Sequence, residues 1–249
     1  MRVGLLAAVA ALLSFAGAPA SAQHHPGEPS ESAPFGSPVA DRHVYAHLIL
    51  DQLEGRFGSD NAFRWDGEAW IGTDTNRLWV KSEAQIEQGR VLHGQHEFLY
   101  DRPISSYFDL QAGLRYDLDD GPGKAWAAFG IEGLSQYFFR VSATVYVSDA
   151  GNYAAKLLGS FDLLLTQRLI LQPTAEFNFY SDADRIRSVA PGLSHFETGL
   201  RLRYEITRKF APYIGIAYDK KFGGTSHFLS DACHASDTMR LAFGVRVWI

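Results

Sequence analysis

The amino-acid sequence predicts an all-β protein, a transmembrane antiparallel up-and-down β-barrel of about 12 strands with a disordered N-terminal tail. The C-terminal segment, Met239–Ile249, alternates apolar and polar residues up to the last residue. Similar segments recur along the chain with turn residues between them, and an apolar leader precedes them. A barrel in a bacterial outer membrane has these three features, because its strands face lipid on one side and a polar lumen on the other.

The first 42 residues are predicted to lie outside the barrel. Arg2 is basic, residues 3–18 are small and apolar, and Ala20-Ser21-Ala22 fits a cleavage site, so residues 1–22 are predicted to be a secretory signal peptide. Residues 23–42 are rich in Pro, Ser, Gly, Glu and His, which predicts a disordered periplasmic tail. The outer-membrane barrel is then expected over residues 43–249.

Composition excludes several classes of protein. The formal net charge is −5, so the chain lacks the basic surface of a nucleic-acid binder and we expect no nucleic-acid partner. Cys233 is the single cysteine, which excludes an internal disulfide. After the leader, no apolar run is long enough to predict a transmembrane helix.

Twelve segments between turn signals have the length and alternation expected of tilted transmembrane strands. The predicted strands are Val44–Phe57, Phe63–Gly72, Arg77–Glu87, Arg90–Asp101, Tyr107–Leu118, Lys124–Gly133, Phe138–Ser148, Ala154–Leu165, Arg168–Tyr180, His195–Ile206, Phe210–Lys221 and Met239–Ile249. The first strand is the least regular, since Leu48-Ile49-Leu50 breaks its alternation, and a β-bulge would explain the break. The last strand should pair with the first to close the barrel.

A soluble lipocalin-like barrel would also alternate, with its apolar face inside. Twelve strands would enclose an apolar interior too wide to fill, since about eight strands already hold one small ligand. We therefore expect outer-membrane lipid around the apolar face. Aromatic residues near the strand ends fit two interfacial girdles. These residues are Tyr100, Tyr107, Phe108, Tyr137, Phe138, Phe139, Phe179, Tyr180, Tyr204, Phe210 and Tyr218.

The polar faces of the strands carry interleaved acidic and basic residues, which predicts ion pairs that partly plug the lumen. An ion path lined by carboxylates is the alternative. The predicted lumen residues are Asp66, Glu68, Lys81, Glu83, Glu97, Asp109, Arg115, Asp117, Glu132, Arg140, Lys156, Asp162, Arg168, Glu176, Glu197, Arg201, Arg203, Glu205, Asp219, Arg240 and Arg246.

Histidines supply most of the candidate metal ligands. A mature chain that begins Gln23-His24-His25 would offer an amine, two amides and an imidazole, a nitrogen set that suits Cu(II). His43 and His47 share a face at a spacing of four, whereas His93 and His96 point to opposite faces of their strand. The candidate metal ligands are His24, His25, His43, His47, His93, Glu97, His195, His227 and His234.

Catalytic motifs are absent from the sequence. It contains no G-x-S-x-G elbow, no Walker loop and no G-x-G-x-x-G fingerprint, and no His/Cys spacing matches a zinc finger or a metalloprotease. We therefore expect no enzymatic activity.

Several ordered stretches from about Asp51 to the C-terminus carry a family resemblance. They are Asp51–Glu54, Trp65–Gly72, Asn76–Lys81, Phe108–Arg115, Leu163–Pro173, Gly199–Ile206, Phe210–Tyr213 and Lys221–Gly224. In these stretches the chain resembles the copper resistance protein B family of bacterial outer-membrane proteins. The resemblance implies a role in copper tolerance, with copper ions bound as ligand or cargo and not used in catalysis. It also implies a periplasmic multicopper oxidase or copper carrier as a candidate partner.

The sequence departs from the family in its N-terminal segment. Family members usually carry a long Met- and His-rich segment there, whereas this chain has only Met1 and Met239, and its tail offers only His24 and His25. The departure shifts the expected copper contacts towards the barrel. The alternatives are a general outer-membrane channel or structural barrel without metal specificity, and, less favoured, an outer-membrane hydrolase.

Overall fold

The computed structural model describes residues 43–118, 123–184, 189–222 and 237–249 as a closed antiparallel barrel of twelve strands. The strands are β1 (Tyr45–Phe57), β2 (Ala62–Gly72), β3 (Arg77–Glu87), β4 (Arg90–Pro103), β5 (Phe108–Asp117), β6 (Lys124–Leu134), β7 (Arg140–Ser148), β8 (in two segments, Tyr153–Ser160 and Leu163–Leu164), β9 (Leu169–Tyr180), β10 (Gly192–Tyr204), β11 (Phe210–Lys221) and β12 (Asp237–Trp248). A short 3-10 turn, Gln136–Phe138, joins β6 to β7. The predicted fold class is confirmed.

Each strand pairs with its neighbours in the sequence, and β12 pairs with β1 to close the barrel. Glu54 of β1 faces Gly244 of β12 in this seam. The closure predicted from the two ends of the chain is therefore confirmed. Below, the end of the barrel that holds His47 and Trp248 is called the terminal end, and the opposite end is called the loop end.

A β-bulge explains the irregular alternation of the first strand. The register of β1 shifts between Leu50 and Gln52 against β2, and between Leu50 and Leu53 against β12. Asp51 is thus an extra residue in the strand. In a regular strand that included Asp51, Leu48 and Leu50 would share a face with Gln52 and Glu54. The bulge shifts the alternation by one residue, so that the two leucines can face lipid while Glu54 is fully buried in the lumen.

Strand β8 is interrupted at Phe161 and Asp162, opposite Pro173 of β9. The Phe161 amide donates to the Pro173 carbonyl at 3.2 Å, so this carbonyl points towards β8. In an antiparallel pair the N–H of the same residue would point the same way, and proline has none. The missing donor accounts for the break, after which pairing resumes at Leu163 and Leu164.

The barrel is apolar outside and polar inside, as predicted. Large apolar side chains are exposed on the outer face, among them Leu114 (63 %) and Phe98 (59 %), whereas charged side chains such as Arg56 and Asp101 are fully buried within the barrel. The outward row is suited to lipid, since a closed barrel satisfies its backbone hydrogen bonds internally.

Two predicted positions were wrong. Tyr180 was assigned to an aromatic girdle, but it lines a lumen cavity and packs beside Trp126 and Tyr146. Arg168 was assigned to the lumen, but it is exposed in the turn before β9. Tyr180 is in phase with the buried Glu176 and Asn178, so its place at the strand end was the misleading signal, whereas Arg168 lies before β9 begins, where strand alternation does not apply.

The tight connection between β3 and β4 consists of Gln88 and Gly89, both with positive φ (50° and 81°), as two-residue hairpins of right-handed twist require. Within the described residues, no helix is long and apolar enough to cross a membrane. The signal peptide and tail predicted for residues 1–42 lie outside the described residues and remain predictions.

Candidate metal site in the barrel lumen

Four side chains with metal-ligating atoms meet in the lumen near the loop end. His195 and Glu197 lie two residues apart on β10, so strand periodicity points both inward. Asp219 of β11 is the register partner of Glu197. His93 comes from β4, on the far side of the barrel, and its ring stacks on His195 with centroids 5.6 Å apart and planes at 23°.

The ligand atoms of three of these residues are close enough to share one ion. Atoms of His195, Glu197 and Asp219 lie within 4.8 Å of one another, and His195 Nε2 is 3.4 Å from Asp219 Oδ1. With His93, the cluster offers two imidazoles and two carboxylates. Imidazole suits Cu, Zn and Ni, and a mixed nitrogen and oxygen set suits Cu(II).

Arginines already bind the two carboxylates. Glu197 accepts hydrogen bonds from Arg56 Nη2 at 2.6 Å and Arg64 Nη1 at 2.8 Å. Asp219 Oδ2 accepts one from Arg240 Nη1 at 3.3 Å. A metal ion would therefore compete with guanidinium groups for these oxygens, whereas the His195 imidazole contacts the Asp219 carboxylate and the side-chain amide of Asn178. The histidines are the more available ligands.

The described part of the lumen contains a cavity towards each end of the barrel. The loop-end cavity, of about 50 Å³, is lined by His93, His195 and Lys221 among others. The terminal-end cavity, of about 110 Å³, is lined by seven carboxylates and three cationic side chains, so it is predominantly acidic. The carboxylates are Asp51, Asp66, Glu68, Glu83, Glu97, Glu132 and Glu176, and the cations are Lys81, Arg140 and Lys156.

The network that crosses the lumen contains residues that the sequence analysis did not select. Glu54 is fully buried and accepts two hydrogen bonds at 2.9 Å from Arg201, whose strand lies three places away around the barrel. Arg56 links Glu54 at 2.7 Å to Glu197 at 2.6 Å. The signal was available in the sequence, because Gln52, Glu54 and Arg56 follow one another at a period of two.

Of the predicted metal ligands that lie in the described part of the chain, the structure brings His93 and His195 together. Glu97 lies apart from them in the terminal-end cavity, where it accepts a hydrogen bond from the Tyr146 hydroxyl at 2.6 Å. His43 precedes β1 and its ring lies near Tyr45, whereas His47 lies in β1 beside Trp70. No common site for His43 and His47 follows from these contacts.

The other predicted ligands, His24, His25, His227 and His234, lie outside the described residues, as does Cys233. His96 points away from the lumen, as expected, and its Nδ1 lies 3.1 Å from the Ser82 hydroxyl. Glu197 and Asp219 were predicted as lumen residues and not as metal ligands. Their proximity to His195 depends on the register between β10 and β11.

Comparisons with known proteins agree with the fold and extend it. The family model described as copper resistance protein B precursor matches residues 44–249. The chain is 40 % identical to copper resistance protein B of Escherichia coli over 86 % of this chain and 72 % of that protein. It is also 40 % identical to a homolog of copper resistance protein B from Pseudomonas syringae pv. tomato, over 86 % and 73 %. Among solved structures, the NanC porin matches with a TM-score of 0.54 at 12 % identity, over 82 % of this chain and 99 % of that one; this likeness concerns the fold alone.

Proposed function

The chain belongs to the copper resistance protein B family, and on this premise we propose that its outer-membrane barrel serves copper resistance by binding copper ions in the lumen or passing them across the membrane. The observation that carries the proposal is the stacked pair His93 and His195 beside Glu197 and Asp219. Copper is the cargo or ligand in this proposal, and the role is not catalytic.

The donor set favours Cu(II) over Cu(I). Imidazole and carboxylate are the harder ligands among those that copper uses, whereas thioether and thiolate favour Cu(I). Met239, the one methionine in the described part of the chain, is exposed on the outer face. The lumen ligands available among the described residues are therefore nitrogen and oxygen.

The acidic terminal-end cavity supports passage as well as binding. A cation that leaves the histidines would next encounter carboxylates, and rings of carboxylates favour cations in pores. By this route copper would reach or leave the periplasmic side, where we propose a multicopper oxidase or copper carrier as the partner. The competing candidate is a structural barrel without metal specificity, favoured by the arginines that already bind Glu197 and Asp219.

Copper titration of the purified barrel tests the proposal. Cu(II) binding is measured by calorimetry and by electron paramagnetic resonance, which detects nitrogen ligands, for the wild type, His93→Ala and His195→Ala. Each substitution removes one imidazole, so we expect affinity to fall at least about tenfold, equivalent to about 1.4 kcal/mol. His47→Ala is the matched control, because His47 lies at the terminal end beside Trp70.

Equal Cu(II) affinity in all four proteins would refute the lumen site. Growth on copper of a deletion strain complemented with the same variants then tests the cellular role. Loss of tolerance with His195→Ala, but not with His47→Ala, is the expected result. Unchanged tolerance in the deletion strain itself would favour the structural barrel.

A further inference from the structure

A lysine side chain crosses the lumen between the two cavities. Lys156 projects from β8, and its ammonium contacts Glu83 Oε1 of β3 and lies 3.4 Å from Glu176 Oε1 of β9. Strands β3 and β8 are five places apart in a barrel of twelve, so they lie on nearly opposite walls. The contact between Lys156 and Glu83 therefore spans the lumen.

This crossing coincides with the boundary between the cavities. Glu83, Gln95 and Glu176 line both the loop-end cavity and the terminal-end cavity. Arg64 reaches the same layer, with Nη2 at 3.6 Å from Glu83 and 3.8 Å from Glu176. Two carboxylates and two cations thus form one layer across the lumen.

The two cations of the layer differ in freedom. Arg64 also donates to Glu197 at 2.8 Å, which fixes its planar group against β10. Lys156 presents a single point charge on a flexible four-carbon stem, which can reorient without breaking a bidentate pair. Asp66 of β2 is the register partner of Glu83 and lines the terminal-end cavity together with Lys156, so its carboxyl group offers an alternative partner. Lys156 is therefore the movable member of the layer.

We propose that Lys156 controls the passage of cations between the two cavities: its ammonium blocks the lumen at Glu83 and Glu176, and a divalent cation that binds these carboxylates displaces it. The inference rests on the proposed function for the identity of the cargo, but it concerns a step that any divalent cation would meet. A cation of charge two attracts the carboxylates more strongly than the ammonium does at equal distance. The displaced ammonium moves towards Asp66.

Single-channel recording in planar bilayers, in KCl without copper, tests the block directly. Lys156→Gln removes the charge that bridges the lumen, so we expect its conductance to rise several-fold above that of the wild type, with a reversal potential shifted towards cation selectivity. Lys124→Gln is the matched control, since Lys124 lies over Trp126 at the loop-end rim and does not bridge the lumen. The control should conduct as the wild type does.

A second variant separates the block from the change in net charge. Lys156→Gln combined with Glu83→Gln restores charge balance in the layer and leaves no bridge, so the proposal expects it to conduct as well as the single variant. Folding of each protein is checked by heat-modifiable mobility in gels. The proposal is overturned if the double variant has the conductance of the wild type. It is also overturned if Lys156→Gln folds but conducts no more than the wild type.

Added CuCl₂ distinguishes this failure from failure of the proposed function. If Lys156 is displaced by divalent cations, CuCl₂ should increase the conductance of the wild type and have little effect on the open variants. If Lys156→Gln conducts more than the wild type in KCl but calorimetry detects no Cu(II) binding, the result supports the block by Lys156 and rejects copper as the cargo. No response of the wild type to CuCl₂, with Cu(II) bound at the histidines, would reject the displacement.

Discussion

Arg56 should be the side chain whose removal destabilises the barrel most. It is fully buried and contacts Glu54 at 2.7 Å, Glu197 at 2.6 Å and the Gln85 side chain at 3.1 Å. Arg56→Met keeps much of the volume but leaves Glu54 with Arg201 and Glu197 with Arg64. Loss of one partner from a buried ion pair typically costs about 3–5 kcal/mol, because the buried carboxylates lose part of their compensating charge.

Urea unfolding of the detergent-refolded barrel measures this loss. With a slope of about 2 kcal/mol per M, a cost of about 4 kcal/mol lowers the midpoint by about 2 M. Arg208→Met is the control, since Arg208 is exposed in the turn before β11, where a substitution changes stability by about 0.5 kcal/mol or less. Adding Glu197→Gln to Arg56→Met should recover part of the loss, because it removes one of the carboxylates that lost compensating charge. A midpoint for Arg56→Met equal to that of Arg208→Met would refute the argument that Arg56 holds these carboxylates.

Two more changes test the seam and the metal site. Deleting Asp51 removes the bulge but leaves one regular alternation through β1, with Leu48 and Leu50 still on the lipid face, so the folded fraction in heat-modifiability gels should stay close to that of Asp51→Asn, which keeps the extra residue. A collapse of the folded fraction on deletion alone would contradict the assignment of Asp51 as the extra residue. Arg240→Gln removes a cation that competes for Asp219, so Cu(II) affinity measured by calorimetry should rise about tenfold. A fall in affinity would mean instead that Arg240 holds Asp219 in place.

Local alternation was enough to predict the strands and their faces. A period of two assigns each side chain to lipid or lumen without knowledge of any partner, which is why β12 and β10 were predicted well. It failed where the chain departs from a regular strand. The bulge at Asp51 obscured the alternation of β1, so Glu54 and Arg56 were not selected. Tyr180 was misassigned for a different reason: its place at a strand end suggested the girdle, although the period of two that it shares with the buried Glu176 and Asn178 points it inward.

The site itself could be predicted only in part, because it depends on which inward residues meet across the lumen. Arg56 and Glu197 are 141 positions apart in the sequence, and their contact requires the closure of the barrel and the register of the strands between them. His93 and His195 were both selected as ligands for their chemistry. Their stacking depends on the height of β4 relative to β10, which alternation within each strand does not determine.

The arginines determine how available the lumen carboxylates are to a metal ion. A carboxylate that accepts a charge-assisted hydrogen bond is stabilised where it lies, so an incoming cation gains only the difference between its own attraction and that of the guanidinium it displaces. Glu197 has two such donors, whereas Asp219 has a longer bond at 3.3 Å and a neighbouring imidazole at 3.4 Å. The most accessible pair of ligands is therefore His195 with Asp219, with His93 stacked beside them. Under the proposed function, such a site would hold a copper ion weakly enough to release it, which would suit passage of the ion better than storage.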